Sequence, residues 1–109
     1  VGLGLEVMPG FMTPSEAFAA VAAGARRLKL FPASVPGAGL IRALNEVLPN
    51  GTTIWAVGGV SAANIGDWLA SGAEGVALGT SLYRPGDQAE VVGKRAAEVV
   101  AAWRAVKAG

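Results

Sequence analysis

Apolar positions along the chain follow two alternating rhythms. Short runs repeat with a period of two or are continuously apolar, and longer stretches repeat every three or four residues. The first kind reads as strand and the second as helix. The clearest short run is Arg27-Leu28-Lys29-Leu30-Phe31, closed by Pro32. Strand side chains alternate, so Leu28 and Leu30 share one face, and Lys29 shares the other with Arg27 and Phe31.

Taken in order, Leu5 to Met8 is expected to be a short strand, followed by a turn at Pro9-Gly10. Thr13-Pro14-Ser15-Glu16 has the form of a helix start, with Thr13 as N-cap, Pro14 at the first helical position and Glu16 completing a capping box. The helix is anchored by Phe18 and Val21 and closes at Gly24. After the lysine strand and a loop at Pro36–Gly39, Leu40, Ile41, Leu44, Val47 and Leu48 fall at helical spacing. Pro49-Asn50-Gly51 is a turn. Thr52 to Val57 is β-branched and aromatic, hence a strand. Ser61 is expected to cap a helix through Ala70, with Ile65, Trp68 and Leu69 buried and Gly72 ending it. Gly75 to Leu78 is the last strand. Asp87 is the expected N-cap of a closing helix that runs to about Val106 and carries Val91, Val92, Val99, Val100 and Trp103.

The order is β-α-β-α-β-α-β-α. Short strands joined by helical crossovers predict an α/β fold with a parallel sheet and right-handed connections. A closed (β/α)₈ barrel takes about 250 residues, about 200 at the low end, and this chain has 109. Four units suit a small open sheet or one half of a barrel.

Composition narrows the chemistry. The chain is 52% hydrophobic and 16% charged, which describes a soluble globular domain. A net charge of +1 with no basic run argues against nucleic acid as a partner. The absence of cysteine excludes disulfides and thiolate metal sites, and the absence of histidine excludes Ser-His, Cys-His and His-metal chemistry. No metal-ligand spacing occurs. No apolar run reaches membrane-spanning length and no signal region opens the chain, so no membrane partner and a cytoplasmic location are expected. Most of the 16 glycines lie in turns between periodic segments.

Three stretches carry candidate chemistry. A parallel strand is usually buried on both faces, where desolvation penalises an ammonium and leaves an amine able to attack a carbonyl. Lys29 is therefore a candidate Schiff-base nucleophile. The structural alternative is a lysine that snorkels to solvent. Val57-Gly58-Gly59-Val60-Ser61 places two glycines between strand and helix, where backbone can approach an anion closely. The alternative there is an ordinary tight turn. Leu78-Gly79-Thr80-Ser81 repeats the arrangement. In (β/α)₈ enzymes the loops after the seventh and eighth strands often hold phosphate, and these two loops follow two successive strands. Trp55, Trp68 and Trp103 read as core, and Glu6 and Asp67 as solvated or structural.

These motifs resemble the C-terminal half of the class I 2-keto-3-deoxy-6-phosphogluconate/6-phosphogalactonate aldolases. The resemblance rests on Leu28-Lys29-Leu30-Phe31-Pro32-Ala33, Val57-Gly58-Gly59-Val60 and Leu78-Gly79-Thr80-Ser81-Leu82-Tyr83, with Met8-Pro9-Gly10 and the helix after it. It implies that residues 1–109 form strands five to eight of a (β/α)₈ TIM barrel, with the N-terminal half lying outside the chain. It implies a homotrimer that cleaves a phosphorylated keto-deoxy sugar acid to pyruvate and glyceraldehyde 3-phosphate, with no metal or organic cofactor. Lys29 matches the Schiff-base lysine. Gly58, Gly59, Val60, Gly79 and Thr80 match the phosphate cradle, although the family commonly has serine where Thr80 stands. Val57 stands where gluconate-type enzymes tend to carry threonine, and Leu82-Tyr83-Arg84 looks more like the galactonate type. That favours the phosphogalactonate substrate or tolerance of both epimers.

The family's acid/base glutamate and carboxylate-binding arginine have no counterpart here. A start at Val1 without methionine suits a fragment, and such a fragment is expected to be inactive alone. Two rivals stand beside this reading. One is another phosphate-binding barrel enzyme, such as a thiamine-phosphate synthase-like protein. The other is a non-catalytic phosphate-binding half-barrel or assembly module.

Overall fold

A computed structural model describes residues 3–108. Strands β1 (Gly10–Phe11), β2 (Arg27–Leu30), β3 (Thr53–Val57) and β4 (Gly75–Ala77) alternate with helices α1 (Pro14–Ala22), α2 (Ala38–Val47), α3 (Ile65–Ala70) and α4 (Ala89–Ala108). The strands form one parallel sheet in the order β1-β2-β3-β4. Right-handed crossovers that always step in one direction put every helix on the same side of a sheet. The burial pattern agrees. Leu28, Leu30, Ile54 and Ala56 are fully buried on the helix side, and Lys29, Trp55 and Val57 on the other face are only half-buried.

The core is built from those strand residues with Phe11, Ala17, Ile41, Leu44, Leu48 and Trp68. Truncating a fully buried residue such as Leu28 or Ile54 to alanine would cost about 2–5 kcal/mol. The α1 start is as expected: Thr13 Oγ1 accepts from the Glu16 amide at 3.2 Å, and the Glu16 carboxylate accepts from the Thr13 amide at 3.0 Å.

Several expectations are corrected. The first strand is Gly10–Phe11, not Leu5–Met8, and Gly10 belongs to it instead of to a turn. Backbone decides this: Lys29 donates to the Pro9 carbonyl at 2.9 Å and Phe31 donates to that of Phe11 at 3.2 Å. Leu5 and Val7 stay exposed. In α1 the buried residue is Ala17, while Phe18 faces solvent, and in α2 Val47 is exposed. Helix α3 begins at Ile65, not after Ser61. Asn64 precedes it without a side-chain cap, and instead pins the turn before the helix, its Oδ1 accepting from the Ser61 amide at 2.8 Å and its Nδ2 donating to the Gly59 carbonyl at 2.8 Å. Of the three tryptophans only Trp68 is core. Trp55 lies half-buried on the open face and Trp103 is exposed.

Asp87 precedes α4 by two residues and does not cap it. Its carboxylate instead accepts from the Arg84 amide at 2.8 Å and from Arg95 Nη1 at 2.6 Å. Arg95 Nη1 also reaches the Leu82 carbonyl at 3.3 Å, so α4 holds the loop after β4. No α4 residue is buried. The helix rests on α3, where Val106 lies over Gly66.

Candidate functional site

The open face carries the candidate residues. Lys29 is in the middle of β2 and half-buried. Its neighbours in register are Gly10 on β1 and Trp55 on β3. Its Nζ lies 5.6 Å from the centre of the Phe31 ring, a cation–π distance. Phe31 follows Lys29 by two residues and is exposed on the same face.

Beyond the C-terminal ends of β2, β3 and β4 lies an open cavity of about 380 Å³. It is lined by Phe31, Val57–Ser61 and Leu78–Ser81. Gly58, Gly59, Val60, Val57, Gly79 and Thr80 therefore meet in one place. Lys29 is not in the lining; its amine lies beside the ring of Phe31, which is. Phe31 is the residue that sequence reasoning passed over as a site residue. Strand parity with Lys29 was the signal that could have found it.

The two glycines after β3 have a backbone reason. Gly58 and Gly59 take φ of +97° and +79°, which side chains disfavour. A Cβ on Gly59 would stand 2.6 Å from Ser34 Cβ, and one on Gly58 would stand 3.0 Å from Pro32 Cα. The turn is pressed against the segment after the lysine strand, where Ala33 donates to the Val57 carbonyl at 2.8 Å and Ser34 to that of Gly58 at 3.2 Å. The glycines therefore lock the cavity wall to the lysine strand.

The lining contains no charged side chain. Among the described residues, the amides of Gly59, Val60, Gly79 and Thr80 donate to no protein acceptor. Ser81 Oγ is committed, donating to the Val60 carbonyl at 2.6 Å. Unpaired amides around a concave wall are suited to an anion's oxygens. No group of three or more acidic, cysteine or histidine residues that could hold a metal occurs among the described residues.

A singly wound parallel sheet, with a lysine on its open face and two glycine loops beyond its C-terminal end, defines an α/β protein whose candidate site lies at the strand ends. The family is then fixed by sequence. A model of the KDPG and KHG aldolase family matches residues 2–97, and the chain belongs to that family. It is 45% identical over 104 residues to a 2-dehydro-3-deoxy-6-phosphogalactonate aldolase of Escherichia coli, covering 95% of this chain and 51% of that protein. It is 51% identical over 106 residues to a probable 2-dehydro-3-deoxy-6-phosphogalactonate aldolase of Rhizobium meliloti, covering 97% and 50%. The chain thus spans about half the length of the curated relatives it matches. A solved structure described as native KDPGal superposes with a TM-score of 0.94 at 42% identity, covering 99% of this chain and 52% of that one. A thiamine phosphate pyrophosphorylase from Pyrococcus furiosus superposes at 0.75 with 23% identity, over 95% and 51%, which is a likeness of fold alone.

Proposed function

We propose that residues 1–109 are the C-terminal half of a (β/α)₈ barrel, strands five to eight, and that the complete barrel is a Schiff-base aldolase. Its substrate is 2-keto-3-deoxy-6-phosphogalactonate, with the gluconate epimer as the second candidate, and its products are pyruvate and glyceraldehyde 3-phosphate. Three facts support the half-barrel: a four-stranded sheet wound in one direction, helices on one face only, and relatives twice as long. One observation carries the activity. Lys29 stands on the open face beside the aromatic ring that borders a cavity of free amides.

In the proposed reaction the Lys29 amine adds to the C2 ketone, and loss of water leaves an iminium. The iminium draws electrons from the C3–C4 bond as a base takes the C4 hydroxyl proton. Glyceraldehyde 3-phosphate departs, and the enamine is protonated at C3 and hydrolysed to pyruvate. The C4 base is assigned to the other half of the barrel. The substrate phosphate sits against Gly58–Val60 and Gly79–Thr80, which holds the scissile bond at a fixed distance from the lysine. Val57 borders the same cavity, and on this reading it faces the substrate's middle carbons. The resemblance adds a homotrimer to the reading, and a cytoplasmic location is proposed alongside it. Among the described residues, no helix is long and apolar enough to cross a membrane.

A second reading has one observation in its favour: Lys29 does not line the cavity. On that reading the barrel binds phosphate without chemistry. Release of glyceraldehyde 3-phosphate from each sugar acid by the full-length protein separates the two. Turnover supports the aldolase, and phosphate binding without turnover supports the module.

A further inference from the structure

Four residues lie side by side in one row across the sheet. Gly10 pairs with Lys29, Lys29 with Trp55, and Trp55 with Gly75. Adjacent strands are about 4.8 Å apart, too close for four side chains abreast when one is an indole. The row is filled by two large side chains and relieved by two glycines. A Cβ on Gly75 would overlap the six-membered ring of Trp55, so the indole, rooted on β3 beside Lys29, extends over β3 and Gly75. A Cβ on Gly10 would stand 3.3 Å from Lys29 Cε and 4.0 Å from Nζ, so the lysine leans the other way, over Gly10.

We propose that Trp55 and Gly75 are positioning residues for the Lys29 amine, with the indole as the backstop that holds the lysine over the recess at Gly10. A lysine side chain has several rotamers of similar energy. On an open row it could swing toward β3 as readily as toward β1. The indole closes the β3 side. Gly75 is required because any side chain there would push the indole back toward Lys29. Among the described residues the Trp55 Nε1 hydrogen has no acceptor, so shape and not a hydrogen bond holds the ring. A smaller flat ring should therefore serve in its place.

This inference rests on Lys29 being the Schiff-base residue. It is tested only in full-length protein whose parent form is trapped by pyruvate and borohydride, so failure of that parent reaction is a separate result. Trp55→Ala should lower kcat and the trapping rate by about tenfold or more, as misplacement of a reacting group does. KM should stay within about threefold. Trp55→Phe should restore most of the rate. Gly75→Ala should slow the parent, but should have no further effect in the Trp55→Ala background, because no indole remains to be displaced. Circular dichroism identifies variants that fail to fold, and the Trp55→Phe against Gly75→Ala comparison then carries the test. Unchanged kcat and trapping in folded Trp55→Ala, or an equal effect of Gly75→Ala with and without the indole, would overturn the proposal.

Discussion

The Ser81 hydroxyl donates to the Val60 carbonyl at 2.6 Å, tying the loop after β4 to the loop after β3 across 21 positions of sequence. Both loops border the cavity. Ser81→Ala removes the donor and leaves a partly buried carbonyl short of a partner, at a cost of about 1 kcal/mol. The loops should separate and the amides lose their common focus. We expect KM for the phosphorylated substrate to rise about tenfold, with a smaller change in kcat. Steady-state kinetics of the full-length variant checks this, and an unchanged KM would mean that the link does not shape the site.

Val57 borders the same cavity and follows Trp55 by two residues. Valine has the shape of threonine without its hydroxyl. An epimer that aims its C4 hydroxyl at this position loses a partner, worth roughly 1–3 kcal/mol when buried. The parent should therefore prefer the galactonate epimer or accept both, and Val57→Thr should move the kcat/KM ratio toward the gluconate epimer by about tenfold. A strict gluconate preference in the parent would contradict the assignment, as would a ratio that the substitution leaves unmoved.

Two carboxylates are held below their usual range. The Met12 amide, then the Thr13 hydroxyl, lowers Glu16, and the Arg84 amide, then Arg95, lowers Asp87. A depressed folded-state pKa contributes stability above the unfolded value and loses it as pH falls through the folded one. The acid limb of stability should therefore extend below about pH 4, the ordinary carboxylate range. Asp87→Asn should lower Tm at neutral pH and make the fall below pH 4 shallower. Melting curves from pH 7 to about pH 2 measure both. Parallel curves for parent and variant would show that the Arg84–Asp87–Arg95 cluster does not contribute.

The 109-residue chain on its own presents an open sheet face and free edges at β1 and β4. Leu5, Val7 and Phe31 are exposed as well. Free edges and apolar surface favour pairing between copies. Sedimentation should show dimers or larger species, with negligible aldolase turnover. A stable, fully active monomer would contradict the half-barrel reading.

Sequence logic reached the elements whose signals are local. The Thr13–Glu16 capping box and the Leu28/Lys29 alternation each need only a few neighbouring residues. It failed where the deciding partner is distant. Pro9-Gly10 has the composition of a turn, yet the Pro9 and Phe11 carbonyls are taken by strand β2. Apolar Leu5–Met8 invites a strand assignment, but no strand pairs with it among the described residues. Ser61 has the chemistry of a cap, but its amide is taken by Asn64, which also holds the Gly59 carbonyl of the glycine turn, so the helix starts later. Trp55 was expected in the core because indoles usually are, and a sheet covered on one face breaks that rule. The cavity residues were legible from the two glycine motifs; strand parity put Phe31 on the Lys29 face, but its place on the cavity border depends on where the two distant glycine loops fold.

The role of Lys29 is tested most directly by reducing the full-length protein with borohydride in the presence of pyruvate and weighing it. The account predicts one pyruvate-derived adduct per chain, located on the peptide containing Lys29. It predicts none in Lys29→Arg, whose guanidinium stays protonated and cannot add to a ketone. An adduct of the same yield in Lys29→Arg, or one mapped to another lysine, would contradict it.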